Sequence, residues 1–245
     1  MITVARHELL RLFKTPLAWI ILAVIQFLVA QLFLKYWEIF ELRASQYADI
    51  GVTEVIVGSL FQTSAIILLL CCPFITMRSF SDEKRLGTMS LLLSSPVSLR
   101  ELVLGKFIGI YTFFLILVFL ITLMPLSLGL GTSLDYWQVG AAVLAMGLLV
   151  SSFVAIGIFI SSLCRSASLA AITTFGILFL LWIISLAANS GAEEIASVLR
   201  YLSLLSHFNS MLEGLIHTSD ICYYLVITIS FLLLTIWRLD AERVY

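Results

Sequence analysis

Six long apolar stretches dominate the pattern along the chain, and shorter polar segments separate them. A helix needs about 20 apolar residues to cross the hydrocarbon core of a bilayer, and it satisfies its own backbone hydrogen bonds there. The pattern therefore predicts six membrane-spanning helices. Alternating segments of about ten residues, which would indicate a transmembrane barrel, are absent from the sequence. The predicted spans are Leu17–Tyr36, Val55–Met77, Phe107–Leu128, Trp137–Leu163, Leu169–Ala188 and Ile221–Trp237.

A separate amphipathic helix is predicted over residues 2–14, ahead of the first span. Its cationic and only half-apolar character is typical of a helix that lies in the cytoplasmic membrane interface. Thr15 as N-cap and Pro16 at the first helical position then begin the first span. The segment is either a simple anchor or an elbow that rests on lipid and braces a partner. Its apolar face carries Ala5, Leu9, Leu12 and Phe13, and its polar face carries His7, Glu8, Arg11 and Lys14.

A compact polar insert, residues 78–106, separates the second and third spans and holds five of the fourteen basic residues. Acidic residues near its start suit a helix N-terminus, and Pro96 ends that helix. A capping box from Ser98 to Glu101 then opens the helix of the third span. The pattern predicts a short cytosolic helix held between two spans, a lever that passes a push from a partner to both. The acidic start is Asp82 and Glu83, and the apolar face is Leu86, Met89 and Leu93.

The long connection before the last span, residues 189–220, contains two further amphipathic segments. A break at Ser206-His207 is predicted to separate two short helices at the outer leaflet. They are either a re-entrant pair, whose irregular backbone protein must shield, or a lid lying flat on the lipid. Gly214 allows a tight approach or a turn. The first face carries Ile195, Val198, Leu199 and Leu202, and the second, a candidate outer gate, carries Phe208, Met211, Leu212 and Leu215.

Composition and charge place the chain in a membrane. Of its 245 residues, 61% are hydrophobic and 12% are charged, whereas soluble domains are about 45–50% apolar and about 25% charged. If the N-terminus is cytoplasmic, eleven of the fourteen Lys and Arg residues lie on the cytoplasmic side, as the positive-inside rule requires. The sequence therefore predicts both termini in the cytosol. The exceptions are Lys35, Arg43 and Arg200.

Few residues suit metal binding or covalent catalysis. The four cysteines have no metal-ligand spacing with the histidines, and we expect them to pack in the core. The histidines lie outside the predicted spans, and no Ser/His/Asp set converges. The sequence therefore disfavours an intramembrane enzyme and predicts no metal site. The residues concerned are Cys71, Cys72, Cys164 and Cys222, with His7, His207 and His217.

The polar insert resembles a known family. The coupling-helix signature of ABC-2 type exporter permeases is similar to the run Phe80-Ser-Asp-Glu-Lys-Arg-Leu-Gly-Thr, followed by Leu91-Leu-Leu-Ser-Ser-Pro-Val-Ser and Leu104-Gly-Lys106. The stretch from Ser206 to Asp220 resembles the segment before the last span in the branch of gliding-motility and nitrous-oxide-reductase-maturation permeases. That branch often has aspartate and arginine where His217 and Ser219 stand here. The resemblance covers essentially the whole chain, residues 1–245, as a single transmembrane domain with residues 1–16 as its interfacial helix.

The resemblance implies a non-catalytic permease subunit of an ATP-binding-cassette exporter in a bacterial cytoplasmic (inner) membrane. Its partners would be two ATPase copies and a second permease copy or paralogue, and an accessory periplasmic subunit is left open. ATP and Mg would bind the ATPase, because the Gly105-Lys106 pair lacks the first glycine of a P-loop, Arg100 standing in its place. No nucleic acid partner is implied. The coupling residues would be Glu83, Arg85, Leu86, Gly87, Thr88 and Met89.

The translocation path is the least defined part of the sequence. Polar residues within spans either line a pathway or bond one helix to another. An ion-coupled secondary carrier or channel is the alternative function, but such a carrier keeps an ionisable residue at mid-membrane, and the sequence has none there. A stripe of Gly147, Ser151 and Ala155 indicates close helix packing. The candidate pathway-lining residues are Gln26, Gln62, Thr63, Ser151 and Thr173.

Overall fold

The computed structural model describes residues 1–42, 53–87, 98–129, 134–188 and 203–244. These ranges are almost entirely helical, and six of their helices are long and apolar enough to cross a membrane. The chain is therefore an all-α multi-pass membrane protein, as the sequence predicts. The helices are α1 (Ile2–Lys14), α2 (Pro16–Leu42), α3 (Ser59–Thr76, preceded by a π-helical turn Thr53–Gly58), α4 (Ser81–Arg85), α5 (Leu99–Leu128), α6 (Tyr136–Leu163), α7 (Ala167–Ala188), α8 (Leu204–Leu212) and α9 (Thr218–Val244).

All six predicted spans are confirmed, and several helices run further than their apolar stretches. The α2 helix continues to Leu42 and α9 to Val244, because polar residues beyond the hydrocarbon core keep the helical hydrogen bonding of the turn before them. The predicted capping box is present at the start of α5. The Ser98 hydroxyl accepts a hydrogen bond from the Glu101 N–H, and the Ser98 N–H donates to the Glu101 carboxylate.

Helix α6 occupies the centre of the bundle. In its apolar stretch 78% of the residues are buried inside the protein, compared with 17% for α2 and for α7. It contacts α3, α5, α7, α8 and α9. The stripe of small residues packs as predicted: Ala155 is fully buried, and the Ser151 hydroxyl lies 3.0 Å from that of Thr228 on α9. Because α2 and α7 are so little covered, their apolar faces are left for lipid or another chain.

Helix α1 lies across the beginning of α5 at very short range. A Cβ atom built on Gly105 would lie 2.7 Å from the Cβ of Val4, and one built on Gly109 would lie 2.8 Å from the backbone oxygen of Ala5. Two glycines four residues apart thus form the surface on which α1 rests, the spacing that permits close helix approach in membranes. The N-terminal helix forms as predicted, and it is part of the packed bundle. Its depth in a bilayer stays a prediction.

The helix predicted within the insert is shorter than expected. We expected one helix to run from Asp82 through Leu93, but α4 ends at Arg85, and Gly87 has φ +69°. That left-handed conformation cannot continue an α-helix, and glycine adopts it without steric cost. The expected apolar face is therefore interrupted after Leu86. Met89, Leu93 and Pro96 lie outside the described residues.

The break predicted at Ser206-His207 is wrong. Helix α8 begins at Leu204, with the Ser203 hydroxyl as its N-cap, and runs through this dipeptide to Leu212. Serine and histidine are poor helix formers only by a few tenths of a kcal/mol, so burial of the apolar face overrides their preference. The turn comes instead at Gly214, which has φ +85°. The first predicted outer helix, around Ile195 to Leu202, falls outside the described residues.

Candidate functional site

The bundle has two ends. The termini end contains α1, α4 and the last turns of α9, and the opposite end is the far end. The side chain of Lys106 organises the termini end. It is only 3% exposed, and its ammonium donates to the backbone oxygen of Ser79 and to the Glu83 carboxylate, both at 2.7 Å. A second carboxylate, that of Glu8, lies 3.7 Å away. One cation therefore joins α5 to α4 and to α1.

A second lysine ties α4 to the other side of the bundle. The Lys84 ammonium donates to the backbone oxygen of Ser162, at the end of α6, and to the Glu242 carboxylate on α9 at 2.6 Å. Arg238 lies 3.2 Å from the same carboxylate. Burial raises the pKa of the nearby Cys164 thiol, and the positive charge of Lys84 opposes that rise. Together, Lys84 and Lys106 connect the short α4 helix to four other helices, α1, α5, α6 and α9.

The beginning of α4 is held by a residue of α6. The Ser161 hydroxyl accepts hydrogen bonds from the backbone N–H groups of Phe80 and Ser81, at 3.0 and 3.2 Å, and donates to the Met77 backbone oxygen. A helix begins with unsatisfied N–H groups, which a side-chain oxygen normally caps. Here α6 supplies that oxygen from another part of the chain. The start of α4 is thus fixed to the central helix.

The tip that follows α4 is exposed. Arg85 has 65% of its side chain accessible, and Leu86 is 68% exposed, although leucine normally avoids water. Glu83, predicted as a surface contact, instead faces Lys106 and is mostly covered. Thr88 and Met89 lie outside the described residues. The role of the predicted coupling residues stays a prediction, and the structure divides them into an inward-facing Glu83 and an outward-facing Arg85 and Leu86.

Sequence reasoning missed the buried position of Lys106 and the capping role of Ser161. We counted Lys106 among the loop cations because it follows a polar segment. The spacing from Gly105 to Gly109 was a signal that another helix approaches here, and a lysine between two such glycines is then covered. Nothing in the sequence near Ser161 indicates its partners, which come from residues about 80 positions earlier.

At the far end, α8 packs its apolar face into the bundle. Phe208, Met211 and Leu212 are buried, as expected for the candidate gate. Leu215 does not share this face, since it follows the turn at Gly214 and is 55% exposed. The position of Leu215 on the helix face is therefore a wrong prediction, because the helix ends three residues earlier.

Hydrogen bonds hold the ends of α8 to α6 and α9. The Gln138 amide donates to the Leu212 backbone oxygen at 3.0 Å, and the Tyr224 hydroxyl donates to that of Leu204 at 2.6 Å. The His207 ring and the Asp220 carboxylate lie 2.7 Å apart across the same region. In the part of the chain that the structure describes, no group of three or more metal-ligating side chains converges.

The five candidate pathway residues contact different neighbours. The Gln26 amide reaches the Leu120 backbone oxygen on α5, and the Thr63 hydroxyl lies 2.7 Å from that of Tyr36 on α2. Ser151 faces Thr228, so these three residues join helices to one another. Thr173 is half-buried on α7. Gln62 is exposed and lines an open cavity at the far end.

A comparison with protein families agrees with this architecture. A family model described as "ABC-2 family transporter protein" matches residues 2–243. The chain therefore belongs to the ABC-2 transporter family, and it is the membrane-spanning permease component of an ABC transporter. No curated protein matches the chain.

Proposed function

We propose that this chain is the permease subunit of an ATP-driven exporter and that residues 78–106 couple it to separate ATPase subunits. The single observation that carries the proposal is the attachment of α4 on two sides. Lys106 joins it to α1 and α5, and Lys84 joins it to α6 and α9. A force on the exposed tip at Leu86 would thus reach both sides of the bundle.

The proposed assembly is supported by membership of the ABC-2 transporter family, which implies an ABC ATPase partner. Two ATPase copies would bind ATP and Mg and would each press on one tip, so the complex needs a second permease, either another copy of this chain or a paralogue. The membrane would be a bacterial inner membrane, with both termini in the cytosol. At the far end, α8 and the Gly214 turn would form the outer gate. This chain itself would bind no cofactor.

The alternative of an ion-coupled carrier or channel has less support. A carrier needs an ionisable residue near mid-membrane, whereas Lys106 is near the beginning of α5 and pairs with carboxylates of α1 and α4. Its burial is accounted for by a structural network of opposite charges. The buried charge of Lys106 therefore gives no support to ion coupling.

The test is whether the exposed tip binds an ATPase. Leu86→Asp should abolish copurification of the ATPase subunit with the permease, and the permease should still fold, since Leu86 is exposed. Leu215→Asp is the matched control, because Leu215 is a similarly exposed leucine at the far end. If the ATPase remains bound to Leu86→Asp as tightly as to Leu215→Asp, the tip is not the coupling site.

A second pair of variants separates the turn from the side chain. Asparagine tolerates a positive φ, whereas valine does not. Gly87→Asn therefore keeps the turn, and Gly87→Val strains it. A Cβ at this position has no neighbour within 4 Å, so the two variants differ through backbone conformation. We expect Gly87→Val, and not Gly87→Asn, to reduce ATPase stimulation by the permease. Equal stimulation by both would show that the turn plays no part in coupling.

A further inference from the structure

A groove of about 690 Å³ lies at the termini end, between the beginning of α5 and the last turns of α9. Arg100 and Leu104 form the wall on α5, and one continuous face of α9 forms the other wall. Along this face the helix rises about 16 Å, which is about half the thickness of the hydrocarbon core of a bilayer. The lining residues of α9 are Ile229, Leu232, Leu233, Ile236, Trp237 and Asp240.

The groove is aliphatic at one end and charged at the other. Arg100 and Asp240 contribute its only charged side chains among the described residues, and both are exposed. Trp237, one turn before Asp240, is 70% exposed, and exposed tryptophans of membrane proteins concentrate at the membrane–water interface. The charged end therefore lies at the level of the lipid headgroups, and the aliphatic end towards Ile229 lies at the level of the acyl chains.

The two charges of the groove have no protein partner. Neither Arg100 nor Asp240 forms an ion pair in the part of the chain that the structure describes. They therefore face the same groove without neutralising each other. A ligand that carries one charge of each sign can lie between them and pair with both.

The helix ends fix which charge of such a ligand goes to which wall. Arg100 is in the first turn of α5, after the Ser98 cap. An anion is favoured at a helix N-terminus, and arginine binds phosphate through two parallel hydrogen bonds. Asp240 is near the end of α9, which ends at Val244, and a cation is favoured at a helix C-terminus. The groove thus suits a phosphate beside α5 and an ammonium beside α9.

We propose that this groove binds a membrane phospholipid whose headgroup carries a primary ammonium group, as in phosphatidylethanolamine. The phosphate contacts Arg100, the ammonium donates to the Asp240 carboxylate, and an acyl chain lies along the aliphatic face of α9. A phospholipid without the ammonium would leave Asp240 close to a phosphate of the same sign, which is unfavourable. An apolar helix from a second copy of this chain would cover the aliphatic walls and leave both charges unpaired. The inference does not depend on the coupling proposal.

The test compares two lipids that share their acyl chains and phosphate, dioleoyl phosphatidylethanolamine and dioleoyl phosphatidylglycerol. Native mass spectrometry of the full-length permease, released from detergent, counts the lipids bound at increasing lipid concentration. Phosphatidylethanolamine should bind about fivefold more tightly, as expected for one additional ion pair at an exposed site. Asp240→Asn should remove this preference, and Arg100→Gln should weaken the binding of both lipids.

Two matched controls change exposed charges outside the groove. Glu38→Gln, on α2, is the control for Asp240→Asn, and Arg165→Gln, between α6 and α7, is the control for Arg100→Gln. Both should leave the binding of the two lipids unchanged. Equal binding of the two lipids to the original protein, or equal effects of Asp240→Asn and Glu38→Gln, would overturn the proposal.

A third pair of variants tests the aliphatic part of the groove. Leu233→Trp should fill it and weaken the binding of both lipids, whereas Leu180→Trp, at a similarly exposed leucine of α7, should not. The same spectra report the number of protein chains. If Leu233→Trp dissociates a permease dimer and leaves lipid binding unchanged, the groove is an interface between two copies, and the lipid proposal is wrong.

Discussion

The ammonium of Lys106 lies 2.7 Å from a carboxylate oxygen of Glu83 and 3.7 Å from one of Glu8, and these three residues belong to three different helices. All three side chains are largely shielded from water. A buried charge is stable only when it is paired and hydrogen-bonded. The relative positions of α1, α4 and α5 are therefore interdependent, since moving one helix breaks an ion pair with the others.

Replacing the central lysine should disrupt this arrangement. Lys106→Met leaves two covered carboxylates without their cation, and breaking a buried ion pair typically costs about 3–5 kcal/mol. We expect a lower temperature of thermal unfolding and loss of ATPase stimulation. The double variant Lys106→Met/Glu83→Met should recover part of the stability, because it removes one of the unpaired charges.

Lys14→Met is the control for that substitution, since Lys14 is an exposed lysine on α1. It should change the unfolding temperature very little. A Lys106→Met protein as stable as Lys14→Met would mean that the ammonium is not buried among these carboxylates.

Adding one methyl group beneath α1 should displace that helix. Gly109→Ala would place a Cβ 2.8 Å from the Ala5 backbone oxygen, and backbone atoms cannot rotate away as a side chain does. Overpacking of this kind costs about 1–3 kcal/mol. We expect lower thermal stability and faster proteolysis of the segment around α1.

Gly140→Ala provides the comparison, because a Cβ on Gly140 has no neighbour within 4 Å. In a helix, alanine is favoured over glycine by about 1 kcal/mol, so this variant should be neutral or slightly more stable. If both alanine variants behave alike, α1 does not rest on Gly109.

Two leucines of the far end should respond differently to a charge. Leu212 is 7% exposed and Leu215 is 55% exposed. Leu212→Asp places a carboxylate in an apolar contact, at a cost of several kcal/mol, and we expect it to lower stability and to uncouple ATP hydrolysis from transport. Leu215→Asp should keep both properties. Similar behaviour of the two variants in proteoliposomes would rule out α8 as a packed gate.

The orientation in the membrane can be tested at two exposed acidic positions, one at each end of the bundle. In a cysteine-free background, a membrane-impermeant thiol reagent added to intact cells should label Glu213→Cys and should not label Asp240→Cys. The expectation follows from the distribution of Lys and Arg, eleven on one side and three on the other. The reverse labelling pattern would overturn the orientation. Labelling after cell lysis verifies that both thiols react.

The sequence was sufficient for the spans and the capping box at Ser98, because both depend on residues that are near in the chain. It was insufficient where tertiary contacts determine the end of a helix or the side that a residue faces. Ser206 and His207 suggested a break, yet burial of Phe208 and Met211 keeps α8 continuous. The same local reasoning placed Leu215 on the wrong side of the Gly214 turn.

The candidate site was predictable only in outline. The polar insert was correctly identified as unusual, and its acidic start does form a helix at Asp82 and Glu83. The pairing of Glu83 with Lys106, however, joins residues near the two ends of the insert, and no helical or strand repeat predicts that contact. Local sequence patterns also do not reveal that Gly87 has a positive φ, since glycine is equally compatible with a helix that continues at some cost.

The ion pairs of the termini end also constrain the order of biosynthesis. Glu8 leaves the ribosome long before Lys106, and α2 and α3 are made between them. Until α5 has been inserted, α1 lacks both its glycine surface and its cation. Lys84 must wait longer, because Glu242 lies 158 positions later in the chain. A nascent permease that stops short of α9 therefore lacks the carboxylate that pairs with Lys84, and this lysine then holds α4 to the backbone oxygen of Ser162 alone.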